Sequence, residues 1–229
     1  MEIIICIILL IVSSLIYLIA FKINIKKAKE LECNKKIENI TNKFPENKEI
    51  AKEMLELLGK KDVKIEEQKE TKTSLYIAIQ NKIIIADMKN NYARIQTIAH
   101  EVLHSFQDRR LLIFNFTLSN IGIFYYIIAI ILTITKTFQN HILQLFILLL
   151  IGFISFGIRT FLEIDAMTKS RYLSEKYIEF KDIVSKQEET EVLEAYDNIN
   201  KAGIPFYVCN LFITAIIRVI IYAIIALIF

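Results

Sequence analysis

The residues best suited to chemistry lie in the run Ala99-His100-Glu101-Val102-Leu103-His104-Ser105. Residues four apart share one face of a helix. His100 and His104 can therefore each offer a ring nitrogen to one tetrahedral Zn²⁺ at about 2.0–2.1 Å. Glu101 sits beside that face, close enough to contact a metal-bound water without ligating. It can accept that water's proton as the water attacks a carbonyl, then pass the proton to the leaving amine. The motif is short, and a chance match on a helix is the bland alternative. However, the chain has only 3 His and two of them fall here.

Zinc of this kind needs a third protein ligand. The extended motif with Gly at 107 and His at 110 is excluded, because Gln107 and Arg110 stand there. His141 is the remaining histidine, and the charge pattern described below assigns it to the far side of a membrane. That leaves a carboxylate. Glu163 is the first acidic residue after the third apolar segment, at the same depth as the end of the motif helix. Asp165, Glu175 and Asp108 compete with it, Asp108 lying one turn after His104.

The elements that must position these residues follow from composition. The chain is 54% hydrophobic yet 23% charged, with mean hydropathy +0.42. A soluble domain of ordinary charge is less apolar, so greasy and polar segments must alternate. Four apolar segments are long enough to cross a bilayer as helices, at about 20 residues each: residues 3–21, 111–135, 142–162 and 206–229. The first is followed by Lys22, Lys26, Lys27 and Lys29 and lacks a basic n-region or cleavage site. It reads as an uncleaved anchor rather than a signal peptide.

Of 28 Lys and Arg, 19 lie in residues 22–110 and six in 163–204, whereas the short connection at 136–141 holds only Lys136. The excess of cations on the cytoplasmic side places both polar segments inside and both termini outside. The expected architecture is a mostly α membrane protein with four transmembrane helices and a small α+β, zincin-like cytoplasmic portion. Its parts are an anchor (1–21), a catalytic segment (22–110), a transmembrane hairpin (111–162), a helical segment with the third ligand (163–204) and a last transmembrane helix (205–229).

Within the first polar segment, residues 46–58 read as a helix between Pro45 and Gly59. Residues 62–66 read as a short strand, 67–73 as a charged loop, and 75–79 with 82–86 as a hairpin. Residues 92–108 read as the motif helix. The second polar segment reads as helical throughout, ending at Gly203 and Pro205. Cys6, Cys33 and Cys209 are scattered and form neither a thiolate metal motif nor a disulfide framework. A net charge of +3 is too small to point to nucleic acid as a partner.

Four stretches carry a resemblance to the membrane zinc metallopeptidases of the YugP type, relatives of the M48 peptidases. Leu57-Leu58-Gly59 with Asp62-Val63-Lys64-Ile65 resembles the entry to the family's catalytic segment. Residues 99–107 resemble its A-H-E-x-x-H-x-x-Q. Glu163-Ile164-Asp165-Ala166 resembles its E-x-[ND]-A, and Glu194-Ala195 through Tyr207-Val208 resembles the junction into its last span. The resemblance implies that Glu163 is the third ligand and that Asp165 is a partner of a ligating His. It further implies a peptidase acting on a peptide or protein substrate. The chain departs from the family at residues 70–76, where an Asp-His-Tyr-Asp-Pro-like segment is usual, and at Met167, Thr168 and Lys169, where Ser and Arg are usual. Both departures bear on substrate contacts.

The expected function is thus a membrane-bound, zinc-dependent peptidase on the cytoplasmic face, with His100, His104 and Glu163 as ligands and Glu101 as base. The alternative is a catalytically silent membrane scaffold that keeps the fold. A site-2-type intramembrane protease would carry its motif inside an apolar span, and a transporter would need more polar groups in its spans. Two arginines remain. Arg218, mid-way along the last apolar segment, is a functional candidate by its position, but it reads first as structural, a charge that snorkels or meets Asn210 or another polar group of the bundle. Arg159, one turn before Glu163, reads as an interfacial residue. The edge of the 75–86 hairpin is a candidate surface for a substrate to join as an added strand.

Overall fold

The structure is a computed structural model and describes residues 1–20, 33–68, 71, 73–138 and 140–229. The basic run at Lys22, Lys26, Lys27 and Lys29 lies outside the described residues, as do Phe21, Lys69, Glu70 and Lys72. Helices dominate. In chain order they are α1 (Glu2–Ala20), α2 (Lys35–Thr41), α3 (Asn47–Leu57), α4 (Arg94–His104), α5 (Arg109–Ile134), α6 (His141–Lys181) and α7 (Lys186–Ile228). Three strands, β1 (Lys64–Gln68), β2 (Leu75–Ile77) and β3 (Lys82–Ala86), lie between α3 and α4. Helices α1, α5, α6 and α7 are each long and apolar enough to cross a membrane.

The chain forms two compact units. The first comprises Met1–Asn24, Phe114–Phe161 and Pro205–Phe229. Its interior includes Leu10, Ala129, Leu145, Phe212, Ile216 and Tyr222, with the Tyr17 and Phe212 rings stacked at 4.4 Å. The second comprises Ile25–Ile113 and Leu162–Ile204, so the two polar segments are brought into one body. Its core draws Ile50 and Met54 from α3, Ile83 and Ile85 from β3, Ile95, Ile98 and Val102 from α4, Tyr177 from α6 and Tyr196 from α7. The apolar positions of α3 and α4 recur at helical spacing, which is why each buries one face.

The sheet order is β1-β3-β2, with β1 parallel and β2 antiparallel to β3. The expected hairpin is present. Strand β1, by contrast, starts two residues later than the sequence pattern indicates and takes in Glu67 and Gln68, which pair with Ile85 and Ala86. As an edge strand it carries charge, and Lys82 meets Glu66 across the pair at 2.8 Å. Charged residues are suited to an exposed sheet edge, so the alternation that marks a half-buried strand is weak here.

Three helix boundaries also differ from expectation, each for a local reason. The motif helix ends at His104, not Asp108, because the chain tightens through turns at Ser105–Gln107. Asp108 then caps α5, accepting from the Arg110 N–H at 2.8 Å. The second polar segment is broken between Lys181 and Lys186, where Ser185 and Glu188 form a reciprocal capping box: each side chain accepts from the other's backbone N–H, at 3.2 and 3.0 Å. Pro205 ends nothing, and α7 runs through it to Ile228. A proline removes one intrahelical hydrogen bond, and packed residues hold this helix on both sides, Tyr196 before and Phe212 after.

Candidate metal centre

Helix α4 presents His100 and His104 on one face, their rings edge-to-face with centroids 4.5 Å apart. The two Nε2 atoms face each other at 3.0 Å. Glu163 reaches them from α6, with Oε2 at 3.4 Å from His100 Nε2 and 3.7 Å from His104 Nε2. Ligand atoms held at about 2.0–2.1 Å around a tetrahedral ion lie about 3.4 Å from one another. The three observed separations bracket that value, so the donor set fits a single small cation. Among the described residues these three side chains form the one His/Cys/Asp/Glu group whose ligand atoms converge in this way.

The polar residues around this group fix its orientation. His104 Nδ1 and Gln107 Oε1 are 2.8 Å apart. An amide oxygen only accepts, so Nδ1 carries the proton it donates to Gln107, and Nε2 is the ring nitrogen turned toward Glu163. The Gln107 amide nitrogen donates to the Leu162 carbonyl at 2.7 Å and to Asp165 at 3.1 Å. Asp165 is thus linked to His104 through Gln107. Further away, Gln96 on α4 donates to Asn200 on α7 at 2.9 Å, and Asn200 donates to the Met167 carbonyl on α6 at 3.1 Å. This chain of bonds holds α4 and α6 in the register that brings Glu163 to the histidines. The importance of Gln107 was legible only as part of the nine-residue motif, and that of Asn200 had no local signal.

Glu101 is buried beside the ligands but outside the converging group. Burial pushes its carboxyl pKa up, Glu163 adds to the rise, and the His100 and His104 charges oppose it. The backbone N–H of Tyr76 on β2 donates to it. Glu101 is thus held by the same edge strand that was expected to receive a substrate strand, and that N–H is already engaged. Glu163 shows the opposite balance. Burial works to raise its pKa, but hydrogen bonds with His100 and His104 outweigh it and hold the carboxyl well below its usual range. For His104, burial works downward, while the Glu163 hydrogen bond and the Glu101 and Glu163 charges leave the ring more basic than usual. The site's electrostatics favour a cation between these groups.

No family model matches the chain, and no curated protein and no solved structure matches it. The reading of the site therefore rests on its own geometry.

The other candidates fall elsewhere. Asp108 is the α5 cap. Glu175 pairs with Arg171 on its own helix. His141 belongs to the first unit, where its Nδ1 lies 3.3 Å from the Tyr222 hydroxyl. Arg159 donates to the Tyr207 hydroxyl at 3.2 Å. Arg218 lines a cavity in the first unit that Asn210 does not line.

Proposed function

We propose that the chain is a membrane-embedded zinc metallopeptidase with His100, His104 and Glu163 as ligands and Glu101 as general base. The observation that carries this reading is the convergence of two imidazoles and a carboxylate at tetrahedral spacing, with a second, buried carboxyl group beside them. Two histidines and one carboxylate leave an open coordination position, the pattern of a catalytic rather than a structural zinc site. Zinc held there supplies Lewis acidity, lowering the pKa of water toward 7 and polarising a carbonyl.

The chain's own residues supply the rest. Gln107 fixes the His104 tautomer and so keeps Nε2 free to ligate. The Tyr76 N–H orients Glu101. Burial raises the proton affinity of Glu101, which suits a group that must take a proton from attacking water and return it to the leaving amine. The four long apolar helices span the membrane, and the exposed apolar side chains of α5, among them Ile121, Phe124 and Ile128, face lipid. The joining of both polar segments in one body supports their placement on one side, and the Lys and Arg distribution makes that side cytoplasmic. A zincin-like arrangement and kinship with the YugP-type peptidases belong to the same proposal, with a peptide or protein as substrate.

The deciding experiment compares purified wild-type protein with Glu101→Gln. The variant is expected to keep zinc, as read by elemental analysis, and to lose cleavage of an unfolded protein substrate by at least about a hundredfold, the low end for general acid–base catalysis. Loss of zinc in Glu101→Gln would mean that the ligand set is wrong. Zinc bound with no cleavage by the wild type would favour the silent scaffold.

A further inference from the structure

The apolar unit holds a charge that the metal site does not use. Arg218 lies in α7, 11 residues beyond Tyr207 (218 minus 207), or about 16 Å further along the helix. It lines a cavity of about 180 Å³ together with Ser119 and Tyr126 from α5, Ser155 and Arg159 from α6, and Thr214 from its own helix. The helices that line it approach closely where they carry glycine. A Cβ on Gly122 would sit 2.9 Å from Ile151 Cγ2, and one on Gly152 would sit 3.7 Å from Ala215 Cβ. Ser119 and Ser155 bridge α5 and α6 at 2.8 Å. Arg218 and Thr214 are exposed, so the cavity is open at α7.

Charge balance decides what such a cavity takes. Residues 114–161 and 205–229, which supply every lining side chain, contain no Asp or Glu. The apolar stretches that build the walls therefore offer Arg218 no carboxylate. A guanidinium at membrane depth is costly unless it meets an anion, polar groups or water. Its planar fork matches two phosphate oxygens at once. Hydroxyls of Ser119, Ser155 and Tyr126 supply further donors on the same walls.

We propose that this cavity binds the phosphate of an anionic phospholipid, with Arg218 as its principal partner. The volume has room for a phosphate and part of a glycerol but not for acyl chains. Those lie outside, along exposed apolar positions of α5 such as Ile121 and Phe124. The cavity extends from Arg218 to Arg159, near the end of the apolar stretch of α6, so a lipid phosphate enters from the headgroup end and the long Arg218 side chain reaches toward it. The inference rests on the reading that these helices cross a bilayer and is independent of the peptidase reading.

The test uses the full chain purified in detergent. Thermal unfolding is followed with added phosphatidylglycerol, phosphatidylcholine or inorganic phosphate, and retained lipid is counted by native mass spectrometry. Phosphatidylglycerol is expected to raise the midpoint and to remain bound at one molecule per chain, with phosphatidylcholine weaker by tenfold or more. Arg218→Gln is expected to lose that preference while keeping its zinc content, so a failure here is distinguishable from a failure of the metal site. If Arg218→Gln does not fold, Arg218→Lys keeps the charge but loses the fork, and weaker phosphatidylglycerol binding is expected. Equal responses to the two lipids, an unchanged preference in both variants, or a response to inorganic phosphate alone would overturn the proposal.

Discussion

In the unit that carries the metal group, Ile50, Ile83, Ile95 and Ile98 have no exposed surface, and the strand edge carries charge. In the other unit, Ile121, Phe124, Ile128 and Ile131 stand on the outside, while Thr133, Gln144 and Tyr222 lie within. The same residue type is thus used in opposite senses in one chain. The first pattern answers to water, where burying apolar surface is the main driving force. The second goes with helices long and apolar enough to cross a membrane, and in an apolar surrounding polar side chains gain by finding one another. Thr133 donates to the Tyr222 hydroxyl at 3.1 Å, and Tyr125 donates to Gln144. The converging histidines and carboxylate sit in the body with the buried apolar core, where a dense polar network orients them.

The largest test of that division concerns the ligands. His104→Ala is expected to abolish stoichiometric zinc in the purified protein, because it removes one of three donors. His141→Ala, in the apolar unit, is expected to leave zinc unchanged. Elemental analysis of both reads the contrast, and zinc loss in His141→Ala would move the metal out of the polar body. Gln107→Leu comes next. It removes the group that fixes the His104 tautomer, and outer partners of this kind are worth about 10–100-fold in metal affinity. Competition with a chelator of known affinity measures the change. No change would show that the Gln107–Asp165 link is packing alone.

The two exteriors can be compared directly. Phe124 on α5 is 66% exposed and Phe180 on α6 is 57% exposed. Phe124→Asp is expected to cost about 2.5–3.5 kcal/mol or to impair insertion, as an acid does in the middle of a membrane helix. Phe180→Asp is expected to stay within about 0.5 kcal/mol, as surface changes in water do. Equal, small effects on reversible unfolding in lipid would mean that α5 does not face a bilayer.

The sequence was legible where order is local. The i,i+4 histidines, the period of α3 and α4, and the four apolar runs all come from neighbouring residues, and the structure has the corresponding helices. The β2–β3 hairpin was local too. What depends on distant partners was less legible. Strand β1 takes its register from a parallel pairing with β3, from which β2 separates it in sequence. The position of Glu163 depends on Gln107, Gln96 and Asn200, which tie together three helices remote in sequence. Two misreadings were local signals given the wrong meaning. Asp108 was weighed as a ligand though it precedes a helix start, the ordinary place for a cap. Pro205 was read as a terminator though long packed helices tolerate one.

The smallest predicted effect concerns a third local signal, Ser185-Lys186-Gln187-Glu188. Helix α6 runs for 41 residues, from the apolar unit into the polar one, and α7 runs for 43, from the polar unit into the apolar one. The polar body needs them to reverse direction sharply at Asp182, whose φ is 47°, if Tyr177 and Tyr196 are to share one core. Ser185 and Glu188 satisfy two backbone donors at the new helix start, and Lys43 of the loop after α2 joins Glu188 at 2.5 Å. Losing an N-cap hydroxyl costs about 1 kcal/mol. Ser185→Ala is therefore expected to lower the stability of the polar body by about that amount, read as a shift in its chemical unfolding midpoint. The zinc stoichiometry is expected to be unchanged, because Ser185 lies at the opposite end of the polar part of α6 from Glu163. A cap that proved silent would mean that core packing of Tyr177, Val192 and Tyr196 alone sets the reversal, and that the box merely records it.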